Sequence, residues 1–218
     1  LHGLAIDIGT TTVVIFLVDL STGERIDTFS FLNPQAEYGL DVISRINFTI
    51  EKSDGLKILQ SQIVNAINTG IDQLYKRNSV TPDSMIKCVV AANTTMLHLL
   101  KGVNPSSIAF APFTPAFIEE QTISPISMGL HISPEAEVIL LPSISAYVGA
   151  DIAAGITVTP MTQSEKSALF IDIGTNGEMA IGNKNGYICC STAAGPAFEG
   201  AKIECGMGGI AGAISTYD

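Results

Sequence analysis

Ile6-Asp7-Ile8-Gly9-Thr10 recurs letter for letter as Ile171-Asp172-Ile173-Gly174-Thr175. Each copy follows a short apolar run, Gly3-Leu4-Ala5 or Ala168-Leu169-Phe170, and precedes another, Val13 to Val18 or Met179 to Ile181. The pattern is strand, tight polar turn, strand, twice over, with unrelated sequence between. A repeat confined to two turns points to two symmetry-related halves that grip one ligand from opposite sides. The chemistry of the turns indicates the ligand. Glycine permits close backbone approach and positive φ, and successive amides in such a turn form a concavity for anions. Threonine hydroxyls add donors. Aspartate is badly suited to touching phosphate but well suited to holding hydrated Mg²⁺ beside it. The paired turns therefore read as a clamp for a magnesium–nucleotide triphosphate tail. Gly9, Thr10, Thr11, Thr12, Gly174, Thr175, Asn176 and Gly177 would face the phosphates, with Asp7 and Asp172 on Mg²⁺ through water. A single such turn reads equally well as a hairpin with threonines chosen for β propensity; the duplication favours the ligand.

Composition narrows the classes. A chain of 218 residues with 46% hydrophobic content and alternating helical and strand-like segments is a packed α/β protein by expectation. The net charge of −10 with only 11 Lys+Arg leaves no basic stripe, which argues against nucleic acid or an anionic membrane as partner. A phosphate site must then rely on backbone amides and metal. No apolar run reaches the ~18 residues needed to span a bilayer, and no signal-peptide pattern is present. Cys88, Cys189, Cys190 and Cys205 have neither disulfide-framework nor zinc spacing, and read as free thiols in a reducing cytoplasm. The chain starts at Leu1 and ends in a Gly-rich stretch, and is expected to be a piece of a longer protein, its fold incomplete at the C-terminus.

Along the chain, Leu4–Ile8, Thr12–Leu20 and Arg25–Leu32 read as an antiparallel meander with its turn at Ser21-Thr22-Gly23. Val13 to Val18 is apolar on both faces, so that strand is expected to be central and covered on both sides. Tyr38 to Thr49 reads as a helix. Asp54 to Arg77 is a stronger one, with Leu56, Leu59, Ile63, Ile67, Ile71 and Leu74 on one face, Asp54 as its cap and Asn78 at its end. Ile86 to Ala92 is a buried strand turning at Asn93-Thr94-Thr95 into a helix from Met96 to Lys101. Gly102 to Pro134 holds five of the ten prolines and reads as a long irregular connection. Val138 to Leu141 is a strand, Ala146 to Ile156 a small-residue helix that can pack closely on a neighbour. Tyr187 to Thr192 follows the second turn as a strand.

The paired turns resemble the two phosphate turns of the actin, sugar-kinase and heat-shock-chaperone ATPase superfamily, and Ala146-Tyr147-Val148-Gly149-Ala150-Asp151-Ile152-Ala153-Ala154-Gly155 sits where that superfamily has its connecting helix. Ala5 to Thr12, Asn93-Thr94-Thr95-Met96, Tyr147 to Asp151, and Ala194-Gly195-Pro196-Ala197-Phe198-Glu199-Gly200 together resemble the reductive activators of corrinoid proteins. The resemblance implies an actin-like, ribonuclease-H-like α/β fold, a mixed sheet with helices on both faces. Residues 1–160 would form the first half, with an insertion at about 38–134, and residues 161–218 the start of the second. It also implies ATP and Mg²⁺ in a cleft, and ATP hydrolysis coupled to reduction of Co(II) to Co(I) in a methyl-transferring corrinoid protein. A low-potential donor would supply the electron through a [2Fe-2S] cluster in a separate N-terminal domain; this chain has no C-x₄-C-x₂-C pattern to hold one. A homodimer is left open.

Further polar residues carry two readings each. Asp151 orients water in the cleft or caps its helix. Glu178 positions the attacking water or is an exposed strand residue. Asn93 contacts ligand or caps the next helix. Glu199 and Lys202 read as a surface pair, and His98, among leucines, as a packed core histidine. Asp7 or Asp172 could accept the nucleophile's proton. Two rivals stand beside the activator: a small-molecule kinase, with Asp151 as base, and a nucleotide-dependent assembly protein of the actin type.

Overall fold

The computed structural model describes residues 1–174 and 176–193. Thr175, the Ala194–Gly200 motif, Glu199, Lys202, Cys205 and the Gly-rich end lie outside the described residues. The chain divides into two compact units, Leu1–Ala154 and one beginning at Gly155.

The first unit is built on a six-stranded mixed sheet. Strands β1 (His2–Ile8), β2 (Thr12–Asp19), β3 (Arg25–Leu32), β4 (Met85–Ala92), β5 (Gln121–Ile123) and β6 (Glu137–Leu140) lie in the order β3-β2-β1-β4-β6-β5. The meander β1–β2–β3 is antiparallel, as its short turns require; β1, β4 and β6 are parallel, and β5 adds an antiparallel edge. The parallel pairs need crossovers. Helices α1 (Val42–Glu51) and α2 (Gly55–Asn78) supply the first; α3 (Thr94–Lys101), α4 (Ser106–Ala109) and α5 (Pro125–Met128) lie in the second. One face of the sheet is buried: Leu4, Ile6 and Ile8, Val13, Ile15 and Leu17, Cys88, Val90 and Ala92, Val138 and Leu140. Leu59, Ile63, Ile67, Ile71 and Leu74 of α2 join them in one core, so the helical spacing read from the sequence marks the face that packs.

Several expectations change. β2 lies between β1 and β3, but only Val13, Ile15 and Leu17 are fully buried; Val14, Phe16 and Val18 are half-covered, so its all-apolar run does not mean burial on both sides. The first helix starts four residues later than its pattern suggests, because Asp41 accepts from the Ser44 amide while the Ser44 hydroxyl meets the Asp41 backbone, a reciprocal cap. Asp54 makes no side-chain cap for α2, and the left-handed residue that ends this helix is Ser79 at φ 53°, one beyond Asn78. Asn78 instead donates to Asp27 and to Leu74 O. The proline-rich connection contains α4, β5 and α5, elements of three or four residues, too short to show a period.

Helix α6 (Ala150–Thr157) begins at Ala150 rather than Ala146, because the Ile144 and Ser145 amides both donate to Val148 O and hold that segment in a turn. The close packing expected of the glycines in this stretch, Gly149 just before the helix and Gly155 within it, is present. A Cβ on Gly149 would lie 2.4 Å from Asn93 Cα, and one on Gly155 would lie 2.8 Å from the Phe170 ring.

In the second unit, β7 (Ala168–Ile173), β8 (Asn176–Asn183) and β9 (Gly186–Ala193) form an antiparallel meander. Cys189 is half-buried and Cys190 exposed, as alternation along a strand requires. No described helix is long and apolar enough to cross a membrane.

Candidate functional site

The parallel strands β1, β4 and β6 run in one direction, so their carboxyl ends bring together the Gly9–Thr12 turn, Asn93 and the segment after Leu140. Ligand sites of open α/β sheets form at such ends. Alternation puts Asp7 on the face opposite Ile6 and Ile8, where it is exposed.

The first turn is a hairpin in which Ile8 pairs with Val13 and the Gly9 amide donates to Thr12 O at 2.9 Å. Gly9 does not have positive φ, contrary to the sequence expectation. Its requirement is spatial: a Cβ there would sit 2.6 Å from Thr12 O.

The three carbonyls that follow Ile8 are all tied to one side. Asn33 Nδ2 donates to Gly9 O at 2.9 Å, Arg45 Nη2 donates to Thr10 O at 2.5 Å, and the Asn33 amide donates to Thr11 O at 2.8 Å. In a trans peptide the N–H points opposite to the preceding C=O. The amides of Thr10, Thr11 and Thr12 are therefore aimed away from Asn33 and Arg45, which is the disposition an anion-binding turn needs.

Asn33 is buried and also accepts from the Gln35 amide at 3.0 Å. Arg45 is wholly buried. Its other donors reach Gly39 O at 2.9 Å, Gln35 Oε1 at 3.3 Å and Met96 Sδ at 3.2 Å, all neutral. Burial pulls its guanidinium down to about 10, against the opposing through-space attraction of Asp41, so it remains a cation at neutral pH.

Of its two readings, Asn93 takes the capping one, and it also reaches the first turn. Its Oδ1 accepts from the Met96 amide at 2.9 Å and caps α3, while its Nδ2 donates to Thr10 Oγ1 at 3.2 Å. Gly149 rests on Asn93, and Asp151 Oδ1 lies 2.6 Å from where the Gly149 Cβ would be. Asp151 Oδ1 also accepts from the Ile152 amide at 2.8 Å, at the first turn of α6. The first unit thus gathers the Gly9–Thr12 turn, Asn93 and Asp151.

The second turn repeats the letters of the first but not its geometry. Ile173 pairs with Gly177, which makes this hairpin one residue shorter than the Ile8–Val13 hairpin, and the Gly174 amide donates to Asn176 O at 2.9 Å. Gly174 also lacks positive φ, and among the described residues a Cβ there would meet only Asn176 O, at 3.7 Å. Neither φ nor packing in the described structure asks for glycine at this position. Asp172 is exposed and pairs with Glu178, whose Oε1 accepts from Ser191 Oγ at 3.1 Å. Among the described residues no group of three or more His, Cys, Asp or Glu side chains could hold a metal directly. Asp7 and Asp172 are each exposed, which leaves room for a hydrated Mg²⁺ held through water.

His98 is the core residue its surroundings predict. Its Nε2 accepts from the Ala116 amide at 3.1 Å, its Nδ1 lies 2.7 Å from Thr94 O, and its ring stacks on Phe117.

Residues 2–164 match the model of the RACo middle region, and residues 166–218 that of the C-terminal domain of RACo, the ASKHA domain. This chain belongs to the RACo family, reductive activators of corrinoid proteins. It is 37% identical over 214 residues to the corrinoid activation enzyme RamQ of Eubacterium limosum, covering 98% of this chain and 36% of that protein. It is 26% identical over 223 residues to the [Co(II) methylated amine-specific corrinoid protein] reductase of Methanosarcina barkeri, covering 98% of this chain and 40% of that one. A solved structure of a reductive activator for corrinoid, iron-sulfur protein superposes with a TM-score of 0.91 at 43% identity, over 95% of this chain and 33% of the other. This chain thus spans between 33% and 40% of the length of these relatives.

The sequence reading missed two residues at this site, Asn33 and Arg45. Asn33-Pro34 reads locally as a turn and nothing more. Arg45 carried a usable signal: a cation beside Ile46, in a chain with few cations, at a helix position that its apolar neighbours mark as inward-facing.

Proposed function

We propose that this chain is the nucleotide-clamping part of an ATP-dependent reductive activator, which couples ATP hydrolysis to reduction of Co(II) to Co(I) in a corrinoid protein. The observation that carries the reading is the first hairpin, with all its loop carbonyls tied to Asn33 and Arg45 and its amides aimed away. Gly174 adds support, since a glycine that the described fold does not require suits close approach by a ligand.

In this reading the amides and hydroxyls of Thr10 and Thr11 bind phosphate oxygens, joined by Gly174, Thr175 and Asn176. Gly9 lets the first turn close tightly. Asp7 and Asp172 hold Mg²⁺ through water, and the metal when bound neutralises charge on the phosphates. Asn93 fixes the Thr10 hydroxyl. Asp151 or Glu178 orients the attacking water, and one of the two turn aspartates accepts its proton. Residues 1–160 correspond to the first actin-like half and residues 161–218 to the start of the second. The electron comes from a low-potential donor through a [2Fe-2S] domain outside this chain, and the setting is the cytoplasm.

The test uses the full-length protein with a Co(II) corrinoid protein and a low-potential reductant, following phosphate release and Co(I) absorbance together. Co(I) that appears only with ATP, and is lost in Asp7→Asn and Asp172→Asn, is the expected result. ATP turnover indifferent to the corrinoid protein, with no Co(I), overturns the activator reading and leaves a nucleotide hydrolase.

A further inference from the structure

Arg45 is a wholly buried cation whose hydrogen-bond partners are all neutral, and among the described residues no carboxylate lies within ion-pairing distance of it. A charge held this way is costly to the fold unless something compensates it. The compensation present is partial: two backbone carbonyls, one amide oxygen and one thioether in contact, and Asp41 only through space. The remaining field of the guanidinium emerges through the peptide it holds. Nη2 binds Thr10 O, and the other end of that same peptide is the Thr11 N–H.

From this arrangement we infer that Arg45 is a positioning and electrostatic residue of the phosphate turn, whose missing counter-charge is the bound polyphosphate. This rests on the reading of Gly9–Thr12 as a phosphate site and extends it to a residue outside the turn. Arg45 acts in two ways. Its bond to Thr10 O fixes the peptide plane, so the Thr11 amide is already aimed before ligand arrives. Its charge also polarises that peptide, which strengthens the Thr11 N–H as a donor, and charge-assisted bonds to a carbonyl are stronger than neutral ones. Water screens the interaction little, because the guanidinium has no exposed surface. Asn33 completes the device by holding the carbonyls on either side, Gly9 O and Thr11 O, with no charge of its own. The geometry divides the labour: Asn33 sets shape, Arg45 sets shape and potential.

The experiment measures binding of Mg·ATP, Mg·tripolyphosphate and adenosine to the full-length protein by calorimetry, for wild type, Arg45→Gln, Arg45→Lys and Gln35→Glu. The expected result is that Arg45→Gln weakens ATP and tripolyphosphate about tenfold or more, ~1.4 kcal/mol, and leaves adenosine unchanged. Arg45→Lys keeps the charge and recovers most of the loss. Gln35→Glu leaves the guanidinium in place but gives it a carboxylate partner, so it also weakens the phosphate ligands selectively, and it serves should Arg45→Gln fail to fold. Equal weakening of adenosine and polyphosphate, or polyphosphate affinity unmoved in Gln35→Glu, overturns the inference and makes Arg45 a structural residue only. Absence of any Mg·ATP or tripolyphosphate binding in wild type overturns the phosphate-turn reading itself, a separate failure.

Discussion

Asp172 stands directly opposite Glu178 in the β7–β8 ladder, two carboxylates facing each other next to the second turn. Like charges so placed destabilise a strand pair, by up to about 1 kcal/mol. Asp172→Asn is therefore expected to raise stability in metal-free buffer by a few tenths to about 1 kcal/mol, while abolishing ATP-dependent Co(I) formation. Thermal unfolding with and without Mg·ATP checks both: wild type gains stability from the ligand, and the variant gains little. A variant less stable than wild type without ligand would mean that the opposed carboxylates carry no strain.

The two motif glycines are expected to separate fold from function. A methyl on Gly9 meets the Thr12 carbonyl at 2.6 Å, so Gly9→Ala must shift backbone and should cost about 1–3 kcal/mol of stability. A methyl on Gly174 meets only Asn176 O at 3.7 Å among the described residues, so Gly174→Ala should stay within about 0.5 kcal/mol of wild type. Its nucleotide affinity should nevertheless fall by tenfold or more. Urea unfolding and calorimetric titration on the same preparations give the comparison. Normal ATP affinity in Gly174→Ala would remove that turn from the proposed site.

Asn33 supports the first turn at two carbonyls and caps the 3-10 segment Pro34–Glu37. Asn33→Ala leaves Gly9 O and the Gln35 amide without their side-chain partner in a buried setting, and should cost about 2 kcal/mol. Asn33→Asp should be worse at neutral pH, because it turns a donor facing Gly9 O into an acceptor. Denaturation midpoints rank the three proteins; Asn33→Asp as stable as wild type would refute the assigned donor.

His98 predicts an acid-sensitive fold. Burial, first, and the nearby Lys101 lower its pKa below the ordinary 6.5, although the Thr94 carbonyl opposes them. The unfolded chain then takes up a proton near pH 6.5 that the folded chain refuses, so the unfolded state holds more protons and stability falls as pH drops below 6.5. Above 6.5 the contribution is fully present. The geometry agrees, since protonation would cost Nε2 its role as acceptor for the Ala116 amide. Urea unfolding between pH 7.5 and 5.5 should show a slope from this group of at most about 1.4 kcal/mol per pH unit. His98→Gln should be less stable overall but flatter over that range; an unchanged slope would assign the acid sensitivity elsewhere.

The sequence by itself determined the meander of β1, β2 and β3, the packing face of α2, the duplicated strand–turn–strand, and the core place of His98. Those readings depend on alternation, helical spacing and turn chemistry, all of which act between near neighbours along the chain. Tertiary structure decided the rest. The two copies of Ile-Asp-Ile-Gly-Thr differ by one residue in hairpin length, because register is fixed by the whole ladder and not by the letters at its end. The start of α6 follows from the turn that the Ile144 and Ser145 amides make with Val148 O. The supports of the first turn come from residues 24 and 35 positions away, Asn33 and Arg45, which the path through β3 and α1 carries back beneath it. A local pattern can announce a phosphate turn, but the groups that hold its carbonyls are chosen by how distant elements pack.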